Sequence, residues 1–212
     1  MKGVAPERLP GLIGHELRNP LAAAVTGAML AREMSDTDDP RAPVLDGVLR
    51  DLDRAARLLD SWLQLARTAN VQNDPVRLDQ LVRSVAGRNR VDVVVAGEPT
   101  MVRGDELLLE RVFENLFDNA RKAGAARIRV ALQGLGDDAV VHVEDDGCGV
   151  PREDVERIFA PGWSTRGSAG LGLHTVATTL AAHGGCIRCV PLARGTRFSI
   201  TLPLAAQAVG SA

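Results

Sequence analysis

Aromatic residues are scarce in this sequence. Phe and Trp together make up only 3% of the 212 residues, and there is no Tyr. Hydrophobic residues nevertheless reach 45%, so a core must be built mainly from Leu, Val and Ala. Such a composition suits helices packed on helices or on a sheet. The length allows one large domain or two small ones.

An excess of charge of either sign and long apolar runs are also lacking. The formal net charge of −2 argues against broad electrostatic binding to nucleic acid or to an anionic membrane. No apolar run approaches the roughly 20 residues that cross a bilayer. The N-terminus has no apolar segment of the signal-peptide type. We therefore expect a cytoplasmic protein with no direct membrane insertion and no nucleic-acid partner.

The sequence has only three cysteines, and an odd number does not suggest a disulfide framework. Cys186 and Cys189 have the spacing of a redox or metal motif, but the stretch around them has a strand pattern. Residues three apart on a strand point to opposite faces, and no second Cys or His pair completes a zinc site. We expect structural cysteines.

Two helical patterns fill the first third of the chain. Apolar residues recur at helical spacing after Pro10, and again from Pro43 to Ala66. Two antiparallel helices cannot bury stripes of this width by themselves. We therefore predict a hairpin that pairs with a second copy in a four-helix bundle, a homodimer through residues 6–69. The alternative is that the hairpin packs on the rest of its own chain.

Strands and helices alternate in the remainder, which predicts a two-layer α/β sandwich and an α+β fold for the whole chain. The domains predicted are a helical hairpin at 1–69, a linker at 70–75, the sandwich at 76–204 and a disordered tail at 205–212. The sandwich helices are predicted near 78–87, 105–123, 152–158 and 171–182, and its strands near 91–95, 127–132, 140–144, 186–191 and 196–202.

His15 opens the sequence His-Glu-Leu-Arg-Asn-Pro-Leu on the first helix. A neutral imidazole nitrogen is a competent nucleophile when a neighbouring base such as Glu16 holds the other ring proton. His15 lies off the apolar stripe, one turn before Asn19, so we expect it to face solvent. Pro20 is expected to bend the helix just afterwards. A single His on a helix is usually an ordinary surface residue, so its meaning depends on residues further along the chain.

A second group of polar residues lies on the helix predicted near 105–123. Asn115, Asn119 and Lys122 share one face, which offers two amide oxygens and an ammonium group to hydrated Mg²⁺ and phosphate oxygens. Asn is a poor helix former, so two on one helix face require an explanation. Taken alone, they are equally well explained as exposed polar residues.

Glycine-rich segments follow. Asp145 leaves a strand, where its carboxylate can accept a hydrogen bond from an exocyclic amine, and Gly147 and Gly149 let the backbone approach a flat base. By itself this motif is equally a turn. Residues 158–166 form an apolar stretch that ends in the cation Arg166. Residues 168–173 form a loop that leads to the start of a helix, where free backbone N–H groups bind phosphate.

In this order, the segments resemble the phospho-acceptor box and the N, G1, F, G2 and final G boxes of sensor histidine kinases. The ATP-binding domain of that family belongs to the ATPase superfamily shared with gyrase. The resemblance covers about residues 8–203. It implies ATP-dependent autophosphorylation on histidine with Mg²⁺, and transfer to an Asp of a response-regulator receiver domain. It also implies a homodimer and, as a further expectation, phosphatase activity towards the regulator.

The resemblance also implies a role for each matching residue. His15 would be the phospho-acceptor, Glu16 its base, and Asn19 the residue that positions water for dephosphorylating the regulator. Asn119 would ligate Mg²⁺. The remaining candidates contact the nucleotide: Asn115 and Lys122 near the phosphates, Asp145 at the adenine amine, Gly147 and Gly149 at the ring, Gly170, Leu171 and Gly172 at the phosphates, Arg166 near the γ-phosphate, and Thr196 on the adenine side.

Three departures from the family pattern bear on nucleotide binding. Asp146 replaces the usual Asn and adds a second negative charge near the expected nucleotide. Ser168 replaces a Gly at the start of its box, and the segment from Arg166 to Gly170 is unusually short. Because no sensor segment is present, we expect either a fragment of a longer kinase or a short kinase that takes its signal from an unknown partner.

Two alternatives remain open at this point. One is a degenerate histidine phosphotransfer protein that does not use ATP, which Asp146 and the short segment favour and which Asn119 and Asp145 oppose. The other is a gyrase- or chaperone-like conformational ATPase, which has no reason to carry His15 beside Glu16. A plain dimerisation module would leave the glycine-rich loops unexplained.

Overall fold

The computed structural model describes residues 9–36, 39–68, 71–89, 91–164 and 170–205, and it leaves the side chains of residues 9–16, 18 and 57 undescribed. The helices are α1 (Leu9–Glu33), α2 (Ala42–Arg67), α3 (Leu78–Arg88), α4 (Glu106–Lys122) and α5 (Gly172–Ala182). The strands are β1 (Asp74–Arg77), β2 (Val93–Gly97), β3 (Met101–Gly104), β4 (Ile128–Leu135), β5 (Asp138–Asp145), β6 (Cys186–Pro191) and β7 (Thr196–Pro203).

Helices α1 and α2 form the predicted antiparallel hairpin. Helix α1 is assigned without a break through Pro20, and α2 has Pro43 in its first turn, where the missing N–H group costs nothing. Arg32 Nε donates to Asp46 Oδ1 at 2.9 Å across the hairpin. Because both helices rise equally per residue, this pair sets the register and places residue 15 level with Leu63.

A five-stranded mixed sheet forms one layer of the second domain, in the order β2-β4-β5-β7-β6. Strand β2 pairs with β4 in parallel, and the other neighbours are antiparallel. Along β5, burial alternates from Ala139 to Asp145, as expected when one face of a sheet is covered. Helices α3, α4 and α5 contribute buried residues to the same core, including Val82, Phe113 and Leu180. The predicted α+β fold is confirmed.

A two-stranded sheet of β1 and β3 was not predicted from the sequence. Its register pairs Asp74 with Gly104 and Pro75 with Arg103, so β1 begins inside the stretch predicted to be a linker. The pairing joins residues about thirty positions apart, and Pro within a short run argues against a strand. Both features hide this sheet from a local pattern search.

Two smaller expectations need adjustment. The short helix expected near 152–158 is a 3-10 helix of three residues, Arg152–Asp154, followed by turns. The tail expected at 205–212 lies almost entirely outside the described residues, which end at Ala205.

The cysteines behave as the strand pattern predicts. On β6, Cys186 is exposed and Cys189 is buried, so the two thiols diverge. Burial raises the pKa of the Cys189 thiol to about 11, which keeps it protonated and unreactive at neutral pH. Within the described parts of the chain, no group of His, Cys, Asp and Glu is arranged to hold a metal ion.

None of the described helices is both long and apolar enough to cross a bilayer.

The hairpin packs on the sandwich through the end of α2. Leu63 and Gln64 are 3% and 9% exposed, and Gln64 Nε2 donates to Thr179 Oγ1 of α5 at 3.3 Å. Elsewhere the hairpin keeps large apolar side chains exposed: Leu17, Met29, Leu30, Met34, Val44, Val48, Leu58 and Trp62. Packing on the chain's own sandwich therefore covers only a small part of the stripes.

Candidate active site

Helix α4 holds the candidate metal-binding face. Asp105 caps it, with Oδ1 accepting from Leu108 N at 3.1 Å, and the apolar face from Leu108 to Ala120 is buried. This packing leaves Asn115 and Asn119 half-buried and Lys122 exposed, and all three line one cavity. Lys122 forms an ion pair with Asp118 one turn earlier. The side chains predicted to meet phosphate and metal therefore share a fixed scaffold.

The amide of Asn119 is unusual. Its Nδ2 atom is buried and has no hydrogen-bond partner among the residues that the structure describes. An unpaired buried donor is costly, and such atoms usually mark a position that a ligand fills. An amide oxygen on a Mg²⁺ ion and an amide nitrogen donating to a phosphate oxygen would satisfy the whole group. Asn119 therefore fits the metal and nucleotide that the sequence implies.

Asp145 lies at the end of β5 and is buried. Its Oδ1 accepts from Gly147 N at 2.9 Å. Burial raises the pKa of the carboxyl group above its usual range and Asp146 adds to the rise, whereas hydrogen bonds from the N–H groups of Gly147 and Thr196 oppose it. Thr196 faces Asp145 on β7 and is itself buried. A carboxylate held in this way can still accept a hydrogen bond from an amine.

Close backbone contacts explain the glycines of this turn. A Cβ atom at Gly147 would lie 2.8 Å from both Cβ and O of Ala123, at the end of α4. Gly149 has φ +77°, and its Cβ would lie 3.0 Å from the carbonyl oxygen of Gly195. Gly195, with φ +80°, has still less room, since a Cβ there would overlap the Asp145 carbonyl oxygen at 1.8 Å. The turn is therefore clamped between α4 and the start of β7.

Asp146 does not act as a second free charge at this turn. Its Oδ1 accepts from Ala126 N at 2.8 Å and from Arg127 N at 2.9 Å. Hydrogen bonds from Arg127 and Ala126, together with the nearby Arg194, hold the pKa of Asp146 below its usual value. The carboxylate is thus occupied in fixing the entry to β4, a role that an Asn oxygen could also fill.

The candidate phosphate loop ends at the start of α5. Gly162 N donates to Gly170 O at 3.1 Å, so the two ends of the segment 163–169 are tied together. Gly170 has φ +66° and no room for a side chain beside Gly162. Leu171 precedes the first residue of α5, and the Cβ position of Gly172 lies 3.3 Å from Asn115 Oδ1. The free N–H groups of α5 therefore open towards α4.

A cavity of about 570 Å³ brings these groups together. Its walls include six of the seven phosphate-side candidates, namely Asn115, Asn119, Lys122, Gly170, Leu171 and Gly172; the seventh, Arg166, lies outside the described residues. The adenine-side candidates Asp145, Gly147, Gly149 and Thr196 do not line it. They are joined to it through the end of α4, where Cys148 N donates to Ala123 O at 3.0 Å.

The hairpin supplies cavity residues that the sequence did not point to. Five residues of α2 line the cavity: Asp60, Ser61, Leu63, Gln64 and Arg67. The position of Gln64 beside the apolar stripe of α2 is the one sequence feature that could have pointed to it. Its partner on α5 is 115 residues away, and that pairing leaves no trace in a local pattern.

The structure describes the side chains of only some of the candidate residues on the hairpin. His15 and Glu16 lie within α1, but the structure does not describe their side chains. The expectation that His15 faces solvent therefore stays a prediction. Asn19 is exposed on the same helix. Arg166, predicted near the γ-phosphate, also lies outside the described residues.

A helical hairpin carrying a histidine box, joined to a sandwich with a phosphate-side cavity, defines a class of two-domain nucleotide-dependent proteins. Two family models match this chain. Residues 12–70 match the His Kinase A (phospho-acceptor) domain, and residues 104–206 match the histidine kinase-, DNA gyrase B- and HSP90-like ATPase. The chain belongs to the histidine-kinase family.

Individual relatives agree with this assignment. The signal transduction histidine-protein kinase AtoS of Escherichia coli is 30% identical over 210 residues, covering 92% of this chain and 34% of AtoS. Full-length ShkA, solved in complex with AMPPNP, has a TM-score of 0.69 and 26% identity, covering 95% of this chain and 46% of ShkA. ThkA, solved in complex with the response regulator protein TrrA, shares the fold at a TM-score of 0.65 and 21% identity, over 93% of this chain and 61% of that chain.

The chain spans about a third to a half of the length of the curated relatives it matches.

Proposed function

We propose that this chain is the catalytic core of a two-component histidine kinase, which phosphorylates His15 from ATP and passes the phosphoryl group to an Asp of a response-regulator receiver domain. The observation that carries the proposal is the shared cavity. It joins the phosphate-side residues of α4 and α5 to α2 beside Leu63, and residue 15 lies level with Leu63 in the hairpin register. A conformational ATPase has no need of a histidine at that level.

The residues divide the work between the two domains. Asp145 accepts a hydrogen bond from the adenine amine, while Gly147 and Gly149 leave room for the ring. The N–H groups at Gly170, Leu171 and Gly172 and the ammonium of Lys122 hold phosphate oxygens. Asn119 would hold Mg²⁺, which supplies positive charge at the transferring group, and Asn115 would lie near the phosphates. Arg166 near the γ-phosphate and Thr196 on the adenine side are the other two residues proposed to contact the nucleotide.

In the transfer step, an imidazole nitrogen of His15 attacks the γ-phosphorus as the bond to the departing ADP breaks. Glu16 takes the proton that the other ring nitrogen loses, so the imidazole ring of the phosphohistidine is neutral and the phosphoryl group carries the negative charge. The attacking nitrogen and the phosphorus must come within about 3–3.5 Å and in line.

Three further elements belong to the proposal. The unburied apolar stripes of the hairpin support a homodimer, and the complex of ThkA with TrrA supports a receiver domain as the partner. Asn19, exposed one turn after His15, is proposed to position water for dephosphorylating the regulator. A cytoplasmic location accompanies these roles, because ATP is supplied there.

Labelling with γ-³²P-ATP and Mg²⁺ tests the central claim. We expect acid-labile, base-stable label on the wild-type protein, none on His15→Gln, and normal label on His142→Gln, which changes a sheet histidine bonded to Ser199. Label that survives in His15→Gln would refute the assigned acceptor. ATP turnover without any label would identify a conformational ATPase. Failure to bind nucleotide would identify a phosphotransfer protein that does not use ATP.

A further inference from the structure

The turn at residues 145–149, which carries the candidate adenine carboxylate, is held by connections from two other parts of the sandwich. Asp146 Oδ1 accepts from Ala126 N at 2.8 Å and from Arg127 N at 2.9 Å, in the connection between α4 and β4. Arg194, in the connection between β6 and β7, donates from Nε to Asp146 O at 3.1 Å. Asp146 is therefore tied both through its side chain and through its backbone.

The turn is also fixed to the helix that carries the candidate metal ligand. Cys148 N donates to Ala123 O at 3.0 Å at the end of α4, and Ala123 N donates to Asn119 O at 2.9 Å one turn earlier. Gly147 packs closely on the same residue, since a Cβ there would lie 2.8 Å from Ala123 O. The adenine side and the phosphate side of the site therefore share one support.

The carboxylate of Asp145 would read the base alone, so its place decides which purine fits. Adenine presents a 6-amino group, which donates a hydrogen bond. A 6-oxopurine presents a carbonyl oxygen at the same position, which a carboxylate repels, and beside it an N1–H group, which can donate. A carboxylate that is free to shift towards N1 can accept from a 6-oxopurine, whereas a fixed carboxylate is left without a donor and rejects that base.

Asp145 is fixed only as far as its turn is fixed. Its Oδ1 accepts from Gly147 N at 2.9 Å, and the N–H group of Thr196 also bonds to the carboxylate. Asp146 lies between Asp145 and Gly147 in the chain, so its bonds set the place of the carboxylate and of one of its donors. Without those bonds, the carboxylate and Gly147 can shift together.

We propose that Asp146 and Arg194 are positioning residues for purine selection, which hold the Asp145 carboxylate where it meets the 6-amino group of adenine and keep it from reaching N1–H of a 6-oxopurine. Both act through the backbone of the turn and not by contact with the base. This role rests on the ATP site of the proposed function, but it requires no phosphoryl transfer.

Competition of ADP and IDP against a fluorescent ADP analogue, in the presence of Mg²⁺, measures this selection. The two diphosphates differ only in the purine, adenine or the 6-oxopurine hypoxanthine, and neither phosphorylates the protein. We expect the wild type to prefer ADP. In Asp146→Ala the ratio of the dissociation constants, IDP over ADP, should fall about 3- to 10-fold, the factor that ordinary hydrogen bonds supply, because ADP binds more weakly and IDP does not.

Three further variants separate positioning from folding. Asp146→Asn should keep the wild-type ratio, because its amide oxygen can accept the same two hydrogen bonds. Arg194→Ala should lower the ratio about 2- to 3-fold, and since Arg194 is exposed, this variant keeps the test decisive if Asp146→Ala does not fold. Asp145→Asn should lose the preference for ADP, and adding Asp146→Ala should change the ratio no further, since Asp146 acts through that carboxylate.

Arg188→Ala is the matched control. Arg188 is also an exposed arginine, but it pairs with Ser199, three residues along β7 from Thr196, so its loss should leave the ratio unchanged. Equal weakening of ADP and IDP in Asp146→Ala would overturn the positioning role, because a general loosening of the fold affects both nucleotides alike. A wild type without preference for ADP would overturn it as well.

The labelling assay separates failure of this role from failure of the kinase proposal. A lowered ratio in a protein that takes no label on His15 would support the positioning role and reject the proposed transfer. A labelled wild type whose ratio does not respond to Asp146→Ala or Arg194→Ala would reject the positioning role alone.

Discussion

At the scale of single residues, Asn119 lowers the stability of the protein without nucleotide. Its Nδ2 is buried without a partner, and Asn is a weaker helix former than most residues. A position that is unfavourable for folding and suited to a ligand is typical of a functional site, since stability has been given up for binding.

Asn119→Ala should therefore strengthen the fold while abolishing nucleotide binding. We expect the free energy of unfolding to rise by about 0.5–1 kcal/mol, from better helix propensity and the loss of an unpaired donor. Urea unfolding and titration with a fluorescent ATP analogue plus Mg²⁺ measure the two effects. Asn89→Ala is the contrast, because that amide donates to Val85 O at 2.9 Å, and its loss should lower stability. A less stable Asn119→Ala would contradict this reading.

Asp145 predicts a pH dependence. Because its folded-state pKa lies above the ordinary value of 3.8, the native protein takes up a proton before the unfolded chain does as pH falls. Its contribution to stability is therefore fully present below pH 3.8 and is lost as pH rises through the folded-state pKa. Nucleotide affinity should have the opposite trend, since the ionised carboxylate is the better acceptor.

Affinity for an ATP analogue, measured by calorimetry from pH 7 downwards, should fall at a higher pH than an ordinary Asp would give. Asp145→Asn should bind about 10- to 100-fold more weakly at pH 7, the loss typical of a hydrogen bond to a charged group, and should lack the acid-dependent fall. In Asp146→Asn the fall should remain, because that carboxylate bonds to Ala126 and Arg127 instead. A pH profile that survives in Asp145→Asn would reject this assignment.

Residue identities were easier to anticipate than residue partners. The sequence pointed to Asn119 and Asp145 because their types and spacing match a known chemistry. It also placed the negative charge of Asp146 near the expected nucleotide, but it did not indicate that this carboxylate bonds to backbone amides about twenty positions earlier. These amides approach the Asp146 carboxylate only in the folded protein, and the pattern of apolar residues does not predict that contact.

At the scale of elements, His183 joins the two helices that carry the phosphate side. Its Nε2 accepts from Asp105 N at 3.0 Å, at the start of α4, and its Nδ1 lies 2.7 Å from Thr179 O near the end of α5. With Nδ1 donating to that carbonyl, the neutral ring satisfies both contacts. The side chain is buried beside Gly104, where a Cβ would lie 2.6 Å from the ring.

His183→Ala should lower the free energy of unfolding by about 2–3 kcal/mol, because it removes a buried ring and leaves the Asp105 N–H group without its acceptor. The measurement is urea denaturation followed by circular dichroism. His174→Ala, which removes a half-buried ring with one contact to Phe159 O, should cost less. Equal losses in the two variants would show that His183 has no special linking role.

The elements themselves were predictable where they are long. Helix α4 was expected at 105–123 and is found at Glu106–Lys122, since its apolar positions repeat over nearly five turns. Strands β1 and β3 have four residues each, too few for alternation to stand out. Their identity as strands comes from pairing with each other, which is a tertiary property.

At the scale of the whole molecule, the hairpin leaves several large apolar side chains exposed to solvent, as protein–protein interaction sites do. Met34 is 87% exposed and Leu30 54%; Leu30 lies near the end of α1, and Met34 directly follows that helix. The sandwich covers only the end of α2 around Leu63 and Gln64. A second copy of the hairpin is the partner that matches this pattern in length and chemistry.

Leu30→Glu should convert a dimer into a monomer, because it places a charge within the apolar surface that the second copy would cover. Sedimentation equilibrium gives the mass directly. Leu135→Glu is the control: Leu135 is 66% exposed at the end of β4, far along the chain from the hairpin, and its change should leave the dimer intact. A monomeric wild type at micromolar concentration would count against the dimer.

The hydrogen bond from Gly162 N to Gly170 O holds together the two ends of the segment 163–169. Since the two ends are held side by side by the surrounding fold, the stretch between them can be lengthened at little cost, with each doubling of a flexible loop adding only about 0.6 kcal/mol. A peptide epitope or a small reporter domain could be spliced in there without redesigning the sandwich.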